Sequence, residues 1–316
     1  MQLTWRASQS ASCYHAAVAV MEGHALAEAQ LAAAIDRPLK RLCEEIELAG
    51  LPTAVILREM YALTAAGIEG DRLLVERTLS RKAGRANVSE PLLQRLAGRV
   101  RDLEVAYRNY HAGRDGPPLV EELELRSQPL REQWQAYGPG LLYQIGQLTE
   151  PELLAESAEI VLVQPAIGGH GVAHLGNNRV TFEAVLANPV PELSEVVRLA
   201  WLLAQLQIDL PRYTAQIARE RLDSLAMHAL LPPTLAAARE VEIVLAGTDL
   251  TLHALNAWQV GDPASRASRA ELLDDWWRAF EENPPAWPVA LTALDALLPP
   301  AVIAVDATAP AADDPA

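Results

Sequence analysis

The chain contains 316 residues, half of them hydrophobic, and carries a formal net charge of −15. This composition provides for a sizeable core, in one large domain or two ordinary ones. The acidic balance argues against nucleic-acid binding, which needs a basic surface, and against attachment to an anionic membrane. No apolar run reaches the ~18–20 residues that span a bilayer, and the N-terminus lacks the apolar core of a signal peptide. We therefore expect a cytoplasmic protein whose two cysteines, Cys13 and Cys43, are reduced.

Residues 1–115 are predicted to form an antiparallel helical bundle. Ala- and Leu-rich stretches with helical periodicity fill most of this region, and short connections that contain Gly or Pro separate them. One helix opens with Ser89 as its N-cap and has Pro91 in its first turn. Paired prolines and clustered charges then predict a linker over residues 116–128.

Residues 129–298 are predicted to form an α+β unit. Its first helix should be broken or kinked by the Gly138-Pro139-Gly140 triplet. Apolar runs near 159–164 and 180–186 predict two short strands, which helices must cover because two strands alone are marginal in water. The helix Glu192–Gln207 is apolar almost all round, and this pattern indicates a buried helix.

The C-terminal part of the chain carries two further predictions. Four tryptophans gather there, and the adjacent Trp276 and Trp277 diverge by roughly 100° on a helix. We expect one of them in the core and the other partly outside, where it could contact a partner. Residues 299–316 are rich in Pro, Ala and Asp without apolar periodicity, so a disordered tail is expected. The predicted fold class is α+β and predominantly helical, with a helical bundle followed by a helical domain that contains a short strand pair.

The Gly-rich loop 168–178 between the two predicted strands is the best candidate for chemistry. His170 and His174 could bind a metal ion, with Glu183 as a further ligand. The two histidines do not stand on a predicted helix, so their spacing fixes no geometry, and we predict no metal site. Gly169 and Gly171 fit the start of a dinucleotide fingerprint, but His174 replaces its third glycine and no helix follows. No cofactor is therefore predicted.

The order of the predicted elements from Pro129 to Leu222 is similar to that of zinc metallopeptidases with H-E-x-x-H on a buried helix. That order is helix, strand, Gly-rich loop, strand and buried helix. Arg198, Leu199 and Leu202 stand where the motif has His, Glu and His. The motif residues supply two zinc ligands and the general base in such enzymes. The resemblance therefore implies a degenerate, non-catalytic version of the domain.

The sequence supports three hypotheses of function. The leading one is a non-enzymatic interaction or scaffold protein with a protein partner, because amphipathic helices are many and no catalytic motif is complete. The first alternative is a metal-dependent hydrolase, or its degenerate zinc-metallopeptidase-like form, that uses loop 168–178. The second alternative is a small-ligand-binding protein that uses the same loop. Cys13 and His15 stand two residues apart and do not reliably face inward together, so no cysteine nucleophile is predicted.

Overall fold

A computed structural model describes residues 1–84, 89–185, 190–215, 217–244 and 250–299. The strands are β1 (Gln2–Ala7), β2 (Ser157–Val163), β3 (Gly171–His174) and β4 (Arg179–Glu183). The α-helices are α1 (Gln9–Met21), α2 (Ala29–Leu48), α3 (Thr53–Ala65), α4 (Asp71–Lys82), α5 (Glu90–Ala112), α6 (Leu119–Arg126), α7 (Gln128–Leu148), α8 (Glu195–Ala204), α9 (Pro211–Thr214), α10 (Leu222–Ala229), α11 (Leu231–Glu240), α12 (Leu250–Ala257), α13 (Arg266–Glu282) and α14 (Trp287–Leu297). The predicted class, predominantly helical α+β, is confirmed.

The strands form one sheet in the order β1-β2-β4-β3. β1, β2 and β4 are parallel neighbours, and β3 pairs with β4 in the antiparallel sense. The two predicted strands are β2 and β4, which lie side by side. Two further strands were not predicted: β1 pairs with a segment far along the chain, and β3 lies inside the predicted Gly-rich loop.

Helices cover both faces of the sheet. The neighbouring residues Phe182 and Glu183 on β4 point to opposite faces, as successive strand residues do. Phe182 packs beneath Arg198 of α8, whereas Glu183 reaches His15 of α1. Contacts of α1 with β2 and of α3 with β4 complete the layer on the α1 side.

The N-terminal helices pack against one another, with the closest pairings between α2 and α5, α1 and α3, and α4 and α5. Within the predicted linker 116–128, Leu119–Arg126 forms α6, which contacts β1, β2 and α7. The sheet draws residues 2–7 together with residues 157–183. The division into domains at 1–115 and 129–298 stays a prediction.

The predicted break in the first helix of the second half is wrong, because α7 runs without interruption through Pro139. Gly138 leaves room for the Trp134 ring, because a Cβ at position 138 would come within 2.4 Å of that ring. The glycine therefore lets the indole lie flat against its own helix. Pro139 lies on the exposed side of the helix, where the groups that a proline leaves unbonded can reach water.

The strongly apolar helix is buried as predicted, and every residue of α8 is buried. Trp276 and Trp277 are both buried as well, so the expectation that one is partly outside is wrong. They stack with Phe280, and Trp276 also contacts Trp287.

The predicted tail lies outside the described residues apart from Pro299. Among the helices that the structure describes, none combines the length and apolarity needed to cross a bilayer.

Candidate functional site

Polar residues gather where the three parallel strands end. Ser8 follows β1, Gln164 follows β2, and Glu183 is the last residue of β4. Parallel strands share one carboxyl edge, and ligands of open α/β sheets bind in the crevice outside it. This edge is therefore the first place to look for a functional site.

The Glu183 carboxylate is enclosed by the loop that follows β2. Its Oε1 accepts hydrogen bonds from the amides of Ala166 and Ile167, both at 2.7 Å. Its Oε2 accepts from three further amides, those of Gly168 at 2.8 Å, Gly169 at 2.5 Å and His170 at 3.0 Å. We call these five backbone donors the 166–170 amides. Together they form a concave array of N–H groups, a geometry that proteins use to bind anions.

Two glycines give the loop its curvature. Gly168 has φ of 96° and Gly169 has φ of 117°, a region that side chains with a Cβ rarely adopt. These turns let successive amides converge on one point. The Gly-rich composition, which suggested a ligand-binding loop, thus serves a bond within the protein itself.

His15 completes the enclosure from α1. Its Nε2 lies 2.7 Å from Glu183 Oε1, and both side chains are almost completely buried. Burial alone would raise the pKa of Glu183, but the bonds from His15 and from the amides of Ile167 and Gly169 lower it well below its usual range. Glu183 is therefore ionised in the folded protein, and its oxygens already hold six donors. A ligand at the 166–170 amides would have to displace this carboxylate.

The structure brings the predicted metal candidates into one neighbourhood without joining them as ligands. The His170 ring stacks on His15 with 5.6 Å between centroids, and its buried Nδ1 has no hydrogen-bond partner among the residues that the structure describes. His174 lies on β3, where its Nε2 meets the Thr181 hydroxyl at 3.1 Å and its ring meets the edge of Tyr61. No cluster of three His, Cys, Asp or Glu side chains able to hold a metal ion occurs within the described ranges.

Burial keeps these histidines neutral. The pKa of His170 falls to about 3, because burial and then the nearby His15 penalise its charge. The pKa of His174 falls to about 4, because of burial and then Arg179. Cys13, which precedes His15 by two residues, is fully buried, and burial raises the pKa of its thiol well above the usual value. A protonated thiol is a poor nucleophile, and His15 is already bonded to Glu183.

Sequence reasoning singled out Glu183 but missed its principal partner. His15 lies 168 positions away in the chain, on a helix that carries no recognisable motif. The one local signal was an acidic residue between the apolar Phe182 and Ala184 at the end of β4, since a buried carboxylate requires partners.

A second polar cluster lies on the other side of Gln164. The Tyr107 hydroxyl donates to Gln164 Oε1 at 2.6 Å, and Gln164 Nε2 donates to Glu28 at 3.2 Å. Tyr110 also donates to Glu28, at 2.6 Å. Beyond them, His111 and residues after it line a cavity of about 130 Å³ that opens to solvent.

The surface of α14 presents an uncharged apolar face. Val289 and Leu297 are 58% and 54% exposed, although both are large aliphatic residues. Ala293 and Ala296 lie between them at helical spacing and are exposed too. We call these four residues the α14 face. The opposite side of the helix is buried through Trp287, Ala290, Leu291 and Leu294.

Comparison of the chain with protein-family models, with curated proteins and with solved structures gave no match.

Proposed function

We propose that this chain is a non-enzymatic interaction protein that binds a protein partner through the α14 face. The single observation that carries the proposal is the composition of α14. Apolar residues of a helix normally face the core, but α14 leaves four of them in water along one side. Exposed apolar patches with polar rims mark contact surfaces.

The charge around α14 indicates the chemistry of the partner. Glu281 and Glu282 end α13 just before α14 and are exposed. The only acidic residue within α14, Asp295, is occupied by Arg221 at 2.5 Å. With a net charge of −15, a second copy of the chain would be repelled. The partner that fits is an amphipathic helix whose apolar stripe is flanked by Lys and Arg.

The rival hypothesis of a metal-dependent hydrolase at loop 168–178 draws less support from the geometry. Glu183 is the only carboxylate among its proposed ligands, and all its bonding capacity is directed to the 166–170 amides and His15. A small ligand at the 166–170 amides would likewise have to displace the Glu183 carboxylate. Binding of a protein partner to the α14 face requires no displacement of Glu183.

Site-directed photo-crosslinking tests the proposal in cells that express the chain naturally. A photoreactive residue at Ala293 should yield one discrete adduct with a different protein. The same residue at Ala33, an exposed alanine of α2, should not yield that adduct. An adduct of two copies of the chain, or identical products from the two positions, would contradict the proposal.

Affinity measurements on the captured partner decide whether the contact is specific. A synthetic helix from the crosslinked segment should bind the chain, and Leu297→Asp should weaken binding at least about tenfold, as for an apolar anchor. Leu48→Asp places the same charge at a leucine that is 84% exposed on α2, and it should have no effect. Equal affinities for both variants would remove the α14 face from the interaction.

A further inference from the structure

The strand β1 forms one edge of the sheet, and its outer side is unpaired. The N–H groups of Gln2 and Ser8 donate to carbonyls on the β2 side. In a parallel pair only alternate residues bond to the neighbouring strand, so the N–H and C=O groups of Leu3, Trp5 and Ala7 point away from β2. Within the described residues these outward groups have no hydrogen-bond partner. We call them the β1 edge.

The β1 edge lacks the features by which proteins usually prevent another strand from pairing with an exposed edge. The opposite edge strand, β3, has only four residues. β1 has six and contains neither Pro nor Lys. Its one charged side chain, Arg6, is turned inward to Glu159 and to the carbonyl of Ala65. An additional strand could therefore bond to β1.

The local charge indicates which strand fits there. The net charge of −15 opposes contact between two copies over most of the surface. Residues 1–21, however, contain no acidic residue, so two β1 strands can pair without placing carboxylates opposite each other. Repulsion between more distant exposed charges is screened at physiological ionic strength, where the Debye length is about 8 Å.

The sequence of β1 is complementary to itself in an antiparallel pair. Pairing of the outward groups places Trp5 opposite Trp5 of the other copy and Leu3 opposite Ala7. Each outward N–H then meets an outward C=O, so none of these groups remains unbonded. The same register places Arg6 opposite Thr4, which avoids a pair of like charges. It also makes Trp5 part of a cross-strand aromatic pair, a contact that stabilises antiparallel sheets.

We propose that two copies of the chain pair through β1 in the antiparallel sense and join their four-stranded sheets into one. A two-fold axis at Trp5 relates the copies, and this is the commonest symmetry of homo-oligomers. The contact does not involve the α14 face, so it stands or fails independently of the proposed partner.

Sedimentation equilibrium of the full chain measures the association. A contact between two strand edges is smaller than a standard interface, so we expect a dimer with a dissociation constant of about 1–100 μM. Ala7→Pro removes one outward N–H but keeps the bonds to β2, and it should weaken the dimer at least about tenfold. Ala173→Pro is the matched control on β3, because the N–H of Ala173 also points away from its neighbouring strand. It should leave the dimer unchanged.

Two results of these measurements would overturn the proposal. One is a monomer at every concentration up to about 1 mM, well above the expected dissociation constant. The other is a dimer that Ala7→Pro and Ala173→Pro weaken equally or not at all, because the contact would then lie outside the β1 edge. Thermal melts of both variants verify that they fold.

Substitutions of Thr4 test the register. Thr4→Arg places a cation opposite Arg6 of the other copy and should weaken the dimer about threefold, whereas Thr4→Glu should strengthen it by a similar factor. Net charge alone predicts the opposite order, because the arginine reduces the magnitude of the net charge of −15 and the glutamate increases it. Glu159 lies beside Thr4 in the same sheet, so thermal melts at low concentration separate folding from association. The opposite order of affinities would overturn the antiparallel pairing.

Discussion

Glu183 shows how a single charged residue can be accommodated in the core. Moving a carboxylate out of water costs several kcal/mol unless its lone pairs are bonded. Here five amides and His15 supply these bonds. Because the donors come from α1 and from the loop after β2, the residue ties together segments that are remote in sequence.

The buried histidines predict a loss of stability in mild acid. The folded-state pKa values of His170, His174 and His228 are about 3, 4 and 4, below the ordinary ~6.5 of an unfolded chain. A depressed folded-state pKa means that the unfolded state binds protons first. The contribution of these neutral histidines to the unfolding free energy is thus fully present above about pH 6.5, and it is lost as the pH falls towards 4.

When the pH falls from 7 to 5, the titration of each such histidine should lower the unfolding free energy by about 2 kcal/mol. Replacing one of these histidines by a residue that does not titrate should reduce the loss of unfolding free energy between pH 7 and pH 5 by about 2 kcal/mol. We expect His228→Phe to do so in urea melts at the two pH values. His253→Phe, at an exposed histidine of α12, is the control and should leave the loss as in the natural chain. An identical loss in all three proteins would contradict the account of His228.

Among the elements, α8 forms the centre of the second half of the chain. Leu199 and Leu203 are completely buried in it, on a helix that contacts β3, β4, α7 and α11. Deletion of buried leucine side chains leaves cavities that the surroundings fill only in part.

Leu199→Ala and Leu203→Ala should each lower the unfolding free energy by about 2–5 kcal/mol. Leu48→Ala, at a leucine that is 84% exposed, should change it by less than about 0.5 kcal/mol. Denaturant melts of the three variants measure these differences. Losses as small as that of Leu48→Ala at both α8 positions would show that the helix is not packed as described.

Patterns of hydrophobic spacing predicted the elements well where the interactions are local. The apolar runs predicted β2 and β4, and the nearly uniform apolarity of residues 192–207 predicted a buried helix. The strand β1 escaped prediction because its partner β2 lies about 155 residues away, and nothing within QLTWRA indicates that pairing. The continuity of α7 through Pro139 also escaped prediction, because propensity alone does not report that Pro139 lies on the exposed side of the helix.

The same distinction holds for the candidate site. Composition drew attention to the Gly-rich loop and to Glu183, but the identity of the bound anion was decided by the fold. The 166–170 amides bind the carboxylate of Glu183 on β4, and His15 from α1 bonds the same carboxylate. Spacing rules cannot anticipate a contact of this kind, because both partners come from different elements.

For the molecule as a whole, the carboxyl edge of the sheet and the proposed contact surface are separate. Glu183 binds the 166–170 amides at this edge, whereas the α14 face lies elsewhere on the surface.

Amide hydrogen exchange at residues 166–170 tests most directly whether this loop is filled by the protein itself. In the natural chain these five amides should be protected, and Glu183→Gln should speed their exchange by roughly ten- to hundredfold through loss of charge-assisted bonds. Glu271→Gln, at an exposed glutamate of α13, should leave their exchange unchanged. If the natural chain exchanged these amides as fast as an open loop, or if Glu183→Gln had no effect on them, Glu183 would not occupy the loop and a ligand site there would regain its donors.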